Sequence, residues 1–339
     1  MAASALVYLS SLHPERERGA ARGGPSGERC MADSLLTGLA DLGFRVSKAG
    51  TLRHFLSLRM GQALRSRPPD VVFLDPWSLA LARRYRALPR TPPLRTFVLE
   101  WFGTTAAAIP AGAGLSPSDY LVPYPYPHLS NRFIGFILRS ETGSFLADGE
   151  ELRRQYGENL ERPRTFGVAW GKEPRYFGSR ERALIKQLAT RLPMHLTVEW
   201  GDADPLTGAG IVNHGHMDPR GWRALLGGAR FVLGLGDPIL GPTALEALAS
   251  GAVLLNPSFA PARTVDGNPG VRFDTQHSFA ATIGVPHVVS IDPARTEQTV
   301  RTVEELMFSD PETTGTSLPH GLADFTRSAY VSRLAQILG

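Results

Sequence analysis

Short apolar runs alternate with longer amphipathic stretches through the first half of the chain. The apolar runs, each with the length and content of a buried strand, are residues 5–12, 71–75 and 95–100. The stretches with helical spacing are residues 28–42 and 78–88. Because strands that alternate with helices are typical of a parallel sheet covered by helices, this half is predicted to form a Rossmann-like domain.

The same alternation returns in the second half. The strands predicted there are residues 165–170, 195–199, 231–235, 253–256 and 287–291. A segment rich in Pro, Gly and Tyr at 110–129 and a polar helix at 147–158 separate the two halves, and the link is placed at 158–163. The predicted divisions are a first Rossmann-like domain at 1–158, a second at 163–320 and a C-terminal segment at 321–339. An amphipathic helix at 324–338 is expected to pack back across the molecule, and the ligand site is expected in the cleft between the domains.

Composition adds limits to this picture. A length of 339 residues fits two domains of about 150 residues each, and 42% hydrophobic with 20% charged residues is typical of a globular enzyme. The net charge is only +4, and no basic stripe interleaved with aromatic residues is present, which argues against nucleic acid as a partner. The single cysteine, Cys30, excludes an internal disulfide framework and a four-thiolate zinc site. No apolar run of about 18 residues and no charged leader is visible, so we expect no membrane span in this chain.

The most informative segment is residues 234–251, which read GLGDPILGPTALEALASG directly after a predicted strand. A turn of small residues that opens a helix lets a diphosphate approach backbone N–H groups. Glu246, further along that helix, is placed to accept hydrogen bonds from ribose hydroxyls. The predicted donor-binding residues of this segment are Gly236, Gly241, Pro242, Thr243 and Glu246.

A Gly/Pro turn that caps a helix with a solvated glutamate is the alternative interpretation of this segment. The spacing does not match GxGxxG, and the next predicted strand ends in Asn256 rather than an acid, so NAD is not favoured. The turn followed by LEAxxxG fits a sugar nucleotide better.

Motifs along nearly the whole chain, in the same order, resemble those of glycosyltransferase family 18, the β-1,6-N-acetylglucosaminyltransferases that branch N-glycans. Besides the run at 234–251, they are residues 23–28, 99–104, 131–136, 171–172, 213–215, 256–259, 276–277, 286–288 and 324–326. The resemblance implies a GT-B fold, with two Rossmann-like domains that face each other across a cleft. It also implies inverting, metal-independent transfer of GlcNAc from UDP-GlcNAc to the 6-hydroxyl of an α-1,6-linked mannose, without a cofactor.

The partners implied are therefore a nucleotide sugar and a glycan or glycoprotein acceptor. The family works in the Golgi, but its anchor, stem and cysteine-rich C-terminal extension are missing from this chain, so the cytoplasm is the alternative. A UDP-GlcNAc epimerase of the same fold and a non-catalytic carbohydrate-binding descendant are the alternative functions.

By this resemblance Glu28 holds the position of the catalytic base. Independently, a carboxylate that follows a Gly-rich loop and enters a helix is well placed to take a proton from a sugar hydroxyl. The alternative for a glutamate at a helix start is compensation of the helix dipole. Lys172 and His214 are predicted to contact the donor; a surface lysine is the alternative for Lys172.

The chain also departs from the family pattern. Leu240 stands where the family has a glutamate, and a family lysine used near the donor falls at Asn268. Arg263 and Arg272 lie close enough in sequence to supply that phosphate cation instead.

Other polar residues are candidates for metal ligands or cleft residues. The pairs Asp202/Asp204 and His214/His216 each lack further ligands, so no metal site is predicted. Asp75 and Glu100 each close a predicted strand, where ligand-facing residues collect, although an N-cap or a loop contact explains them equally well.

Overall fold

The computed structural model describes residues 2–13, 27–64, 69–85, 95–171, 173–201, 204–206, 208–265, 268–308 and 317–339. Several sequence predictions lie outside these residues. They are residues 23–26 of the first motif, Lys172, Asp202 and the side chain of Asn268.

The first domain is built on a six-stranded, wholly parallel sheet with the order β2-β1-β3-β4-β5-β6. Its strands are β1 (Ser4–Tyr8), β2 (Arg45–Ala49), β3 (Val71–Leu74), β4 (Arg95–Leu99), β5 (Tyr120–Val122) and β6 (Arg132–Phe133). The helices that accompany them are α1 (Gly27–Asp41), α2 (Leu52–Leu64) and α3 (Pro76–Arg84). Residues 5–8 of β1 and all of β3 are buried, as expected for the centre of a sheet covered on both faces.

The second domain has a seven-stranded sheet in which β12-β11-β10-β7-β8-β9 form the main path and β13 pairs with β11. Its strands are β7 (Phe166–Trp170), β8 (Met194–Leu196), β9 (Ile211–Asn213), β10 (Ala229–Gly234), β11 (Val253–Val265), β12 (Asn268–Thr275) and β13 (Val288–Ile291). All pairings are parallel except that of β11 with β12, which form an antiparallel hairpin. The remaining helices are α4 (Gly149–Leu160), α5 (Ser179–Ala189), α6 (Pro219–Gly228), α7 (Thr243–Ala249), α8 (Ser278–Ile283), α9 (Thr296–Phe308) and α10 (Arg327–Leu338).

Two parallel-sheet α/β domains are therefore present, as the sequence pattern predicts. The strands that the pattern missed are β2, β5, β6, β9 and β12. Most of these lie at sheet edges, where half-exposed residues weaken the apolar signal. The expected strand at 253–256 instead continues to Val265 in the hairpin.

The C-terminal helix α10 packs on the first domain. Gly38 of α1 lies against the side chains of Tyr330 and Leu334, and an added Cβ there would stand 2.9 Å from each. The chain thus returns to the first domain after it completes the second sheet. Within the described ranges, no helix has the length and apolar character needed to cross a bilayer.

Candidate active site in the interdomain cleft

A cavity of about 520 Å³ lies between the two domains. The first domain contributes the start of α1, with Gly27 and Glu28, and the residues after β4, Trp101 and Phe102. The second domain contributes the ends of β7 and β8, the segment that leads into α6, and the start of α7. Its lining residues include Trp170, Arg175, Thr197, His216, Trp222, Gly241, Pro242, Thr243 and Glu246. The cavity is thus walled by strand ends from both sheets, which is where open α/β sheets bind ligands.

The β10–α7 turn, residues 235–242, is held from behind by Gln276. This fully buried side chain accepts a hydrogen bond from the Gly236 N–H (2.9 Å) and donates one to the Pro238 carbonyl (3.1 Å). Gly234 leaves room for it, since an added Cβ would stand 2.3 Å from the Gln276 Oε1 atom. The turn therefore has a single well-supported shape.

Gly236 shapes this turn but does not line the cavity. Its φ of 93° is in the left-handed region that favours glycine, and its N–H is taken by Gln276. The structure therefore places Gly236 behind the cavity wall, where its backbone supports the turn. Gly241 does line the cavity, with Trp170 Cζ2 only 2.5 Å from where a Cβ would stand.

Glu246 faces the same cavity from the first turn of α7. Its Oε2 accepts a hydrogen bond of 3.1 Å from Trp222 Nε1. Burial raises the pKa of Glu246, while that hydrogen bond and the positive charges of Arg223 and Arg139 oppose the rise. The carboxyl group is held in place as a hydrogen-bond acceptor, as binding of ribose hydroxyls would require.

Glu28 lies across the cleft in the first turn of α1, exposed and at the boundary between two cavities. The second cavity, of about 220 Å³, opens above β1, β3 and β4 in the first domain. Its walls include Ser11, Asp75, Trp77, Glu100 and Trp101. A carboxylate between a large and a small cavity can face two ligands at once.

The structure separates the roles of two carboxylates in this second cavity. Asp75 caps α3, since its Oδ1 accepts from the Ser78 N–H (2.7 Å) and its Oδ2 from the Ser10 N–H (2.5 Å). Burial raises the pKa of Glu100 to about 7, aided by the negative charges of Asp75 and Glu28 and opposed by the Phe102 N–H. Asp75 is thus a helix cap, as one of the two interpretations has it, and Glu100 is a half-buried carboxyl group whose pKa lies near neutral pH.

One predicted donor contact, His214, lies elsewhere. His214 sits outside both cavity linings, where its Nε2 lies 3.0 Å from Nδ1 of His195. Its neighbour His216 lines the larger cavity instead, with Nδ1 3.3 Å from Glu199 Oε2. His214 and His216 lie beyond β9 on either side of Gly215, whose φ of 63° is in the left-handed region. The chain therefore turns between them, and the two imidazoles have different neighbours.

The two arginines proposed as phosphate cations also differ. Arg272 is an exposed residue of β12 outside both linings, because the alternate positions Val271 and Phe273 point into the core. Arg263 stacks over the Phe259 ring at 4.1 Å and has Nη1 3.4 Å from Asp237 Oδ2 and from the Gly236 carbonyl. Arg263 therefore lies beside the β10–α7 turn, whereas Arg272 does not.

Sequence reasoning missed several cavity residues. Arg175 lines the larger cavity, although it pairs with Glu173 at 2.7 Å. Four of the chain's five tryptophans line one or both cavities, namely Trp77, Trp101, Trp170 and Trp222. The only signal for them was the scarcity of tryptophan, which is a preferred platform for the apolar faces of sugars and bases. Among the described side chains, no three His, Cys, Asp or Glu residues gather as a metal site.

Two facing parallel-sheet domains with an aromatic, carboxylate-bearing cavity between them define a protein of the GT-B class. Solved glycosyltransferases share this fold: AviGT4, a glycosyltransferase involved in avilamycin A biosynthesis, superposes with a TM-score of 0.58 over 99% of this chain and 97% of its own, at 13% identity. Sucrose-phosphate synthase from Thermosynechococcus elongatus superposes with a TM-score of 0.53 over 99% and 95% of the two chains, at 11% identity. The chain belongs to glycosyltransferase family 18, whose family model matches residues 3–338.

Curated relatives of this family support the assignment. The alpha-1,6-mannosylglycoprotein 6-beta-N-acetylglucosaminyltransferase A of Cricetulus griseus is 25% identical over an alignment 350 positions long that covers 92% of this chain. That alignment covers 44% of the relative, so the chain spans less than half the length of the protein it matches.

Proposed function

We propose that this chain transfers GlcNAc from UDP-GlcNAc, with inversion, to the 6-hydroxyl of a mannose on an N-glycan. The observation that carries the proposal is the placement of Glu28 and the β10–α7 turn with Glu246 on opposite walls of one cavity. The names of the curated relatives support the donor sugar, the mannose acceptor and the linkage. Golgi residence is proposed on the family resemblance alone.

The donor is proposed to lie on the second domain. Gly241 and Thr243 would place backbone N–H groups beside the diphosphate, while Pro242, which has no N–H, would line the site between them. Glu246 would accept hydrogen bonds from the ribose. Arg175 in the cavity wall and Arg263 beside the turn are the proposed cations. Burial raises the pKa of Asp237, and the positive charges of both arginines act to lower it, so both lie near this carboxyl group. They would take the place of the family lysine that falls at Asn268.

The acceptor is proposed to enter from the smaller cavity of the first domain. Trp77, which is 48% exposed, offers an indole face to the apolar side of a pyranose ring. The acceptor's 6-hydroxyl would then reach Glu28 at the boundary between the cavities.

In the proposed step the hydroxyl oxygen attacks C1 of the sugar from the face opposite the diphosphate. A C1–O bond to the acceptor forms while the C1–O bond to phosphate breaks, and UDP leaves with the electron pair. Glu28 takes the hydroxyl proton, and the second domain stabilises the charge that grows on the diphosphate. No metal takes part in this proposal.

A UDP-release assay with and without a mannose-terminated N-glycan tests it. We expect release that depends on both UDP-GlcNAc and the glycan, and a β-1,6-linked product by NMR. Turnover of UDP-GlcNAc without acceptor would indicate an epimerase or hydrolase instead. Binding of UDP-GlcNAc with no turnover on any glycan would indicate a non-catalytic carbohydrate-binding descendant.

Metal independence is tested in the same assay. Because the described residues contain no cluster of metal ligands, EDTA is expected to leave the rate within about 2-fold. Loss of turnover that manganese restores would contradict this prediction and would redirect attention to Asp202 and Asp204.

A further inference from the structure

Two hydrogen bonds from the first domain end on one backbone atom of the second. Trp101 Nε1 donates to the Leu240 carbonyl oxygen at 3.0 Å, and the Tyr124 hydroxyl donates to the same oxygen at 3.2 Å. All three residues are buried. A carbonyl oxygen has two lone pairs, so the first domain satisfies this acceptor fully.

Leu240 is held in an unusual conformation at this point. Its φ of 57° makes it the one non-glycine residue with positive φ among the described residues, a state that costs a leucine free energy. On its other side, the Leu240 N–H donates to the Gln276 carbonyl at 2.9 Å. The strained residue therefore carries its side chain into the core between the domains and presents its carbonyl to Trp101 and Tyr124.

The same indole also limits the position of Glu28. Gly27, which precedes Glu28, lies so close to Trp101 that an added Cβ would stand 2.6 Å from Cζ2 of the ring. On the far side of the turn, Gly241 lies equally close to Trp170. The β10–α7 turn is thus enclosed by two indoles, one from each domain.

We propose that Trp101, assisted by Tyr124, is a positioning residue that aligns the start of α1 with the β10–α7 turn. One rigid side chain touches the backbone next to the proposed base and the backbone of the proposed donor-binding turn. It thereby sets the distance between the two reacting partners without taking a proton itself. This inference rests on the proposed function of these two walls.

The test uses Trp101→Phe, Tyr124→Phe and the double variant in steady-state kinetics. Tyr124→Phe keeps the ring and removes one bond, so it guards against a folding defect in Trp101→Phe. We expect kcat to fall about 5- to 10-fold in each single variant and further in the double variant. The dissociation constant for UDP should stay within about 3-fold, because the second domain alone is proposed to hold UDP.

Tyr126→Phe is the matched control. The Tyr126 hydroxyl donates to the Trp101 carbonyl at 3.1 Å, which is the same kind of buried bond but lies within the first domain. A comparable fall in kcat in this control, or unchanged kcat in the double variant, would overturn the positioning role.

Hydrogen exchange supplies a readout that does not depend on activity. The amides of Gly236 and Leu240 should exchange several-fold faster in the double variant, while the amides of β1 keep their rates. Equal acceleration throughout the chain would indicate only a loss of global stability and would contradict the inference. If wild-type protein transfers no sugar, the proposed function fails, yet the exchange experiment still decides whether the two bonds hold the turn.

Discussion

At the residue scale, the proposed chemistry depends on a few carboxyl groups whose surroundings differ. Glu28 is exposed between two cavities, Glu246 is held by Trp222, and Glu100 is half-buried near the carboxylates of Asp75 and Glu28. The three glutamates thus differ in exposure and in the groups that surround their carboxyl groups.

The first prediction concerns Glu28→Gln, which keeps the shape of the side chain and removes the base. Turnover should fall by about 10²- to 10⁴-fold, since a positioned general base typically contributes that much. UDP affinity should change only a few-fold, and isothermal titration calorimetry measures it alongside the rate. Glu246→Gln is the matched comparison, with weakened UDP binding expected. Near wild-type turnover by Glu28→Gln would leave Glu28 as a helix-start carboxylate and shift the search to Glu100.

The second prediction concerns the pH dependence that Glu100 imposes on stability. A carboxyl group with a folded pKa of about 7, raised from 4.5, holds its proton more tightly in the folded state. The free energy of unfolding therefore falls as pH rises from about 4.5 to 7, by about 3 kcal/mol once the window is crossed. Urea unfolding of wild type and Glu100→Gln at several pH values measures it. The free energy of unfolding of Glu100→Gln should exceed that of wild type by an amount that grows across this pH window. A constant difference would refute the raised pKa of Glu100.

At the element scale, the β10–α7 turn is the part that local sequence and tertiary packing define together. Gly234 just before the turn and Gly241 within it must be glycines because Gln276 packs against the first and Trp170 against the second. The helix that follows has only seven residues, so the position of its first turn depends on these contacts more than on helix propensity.

Gly241→Ala tests this dependence in the third prediction. Because the added methyl group would meet the buried Trp170 ring, we expect a loss of about 1–3 kcal/mol in unfolding free energy and at least about 10-fold weaker UDP binding. Gly157→Ala in α4 is the control, since no atom lies within 4 Å of its added Cβ. The free energy of unfolding of this control should stay unchanged or rise by up to about 1 kcal/mol. Unchanged UDP affinity in Gly241→Ala would separate the turn from donor binding.

At the scale of the whole molecule, the two domains are joined by one continuous apolar core. That core includes residues of both sheets and of α10, which returns to the first domain. A ligand that contacts both walls of the cleft should therefore stabilise the entire protein.

The fourth prediction follows from this coupling. UDP-GlcNAc at about 100 times its dissociation constant should add roughly 2.7 kcal/mol to the unfolding free energy and raise the melting temperature. UDP should act in the same direction, and UDP-glucose or GDP sugars should act less. Differential scanning calorimetry compares them at equal concentration. A shift produced by GDP sugars alone would contradict the donor assignment.

The sequence by itself determined the two parallel-sheet domains, because buried strands and amphipathic helices leave a periodic signal in the order of the residues. It also determined the β10–α7 turn and Glu246, since a glycine-rich strand-to-helix turn is a local feature. Glu28 came from the motif resemblance. These inferences need only neighbours in the chain or a family pattern.

Only the tertiary structure decided which polar and aromatic side chains share the cleft. It placed Arg175 and His216 in the cavity wall, left His214 and Arg272 outside it, and brought Trp101 against Leu240. Trp101 and Leu240 are separated by 139 residues, and their contact depends on how two separately patterned domains face each other. The hydrophobic periodicity along the chain does not predict that contact, because packing between domains depends on the shape and chemistry of whole surfaces.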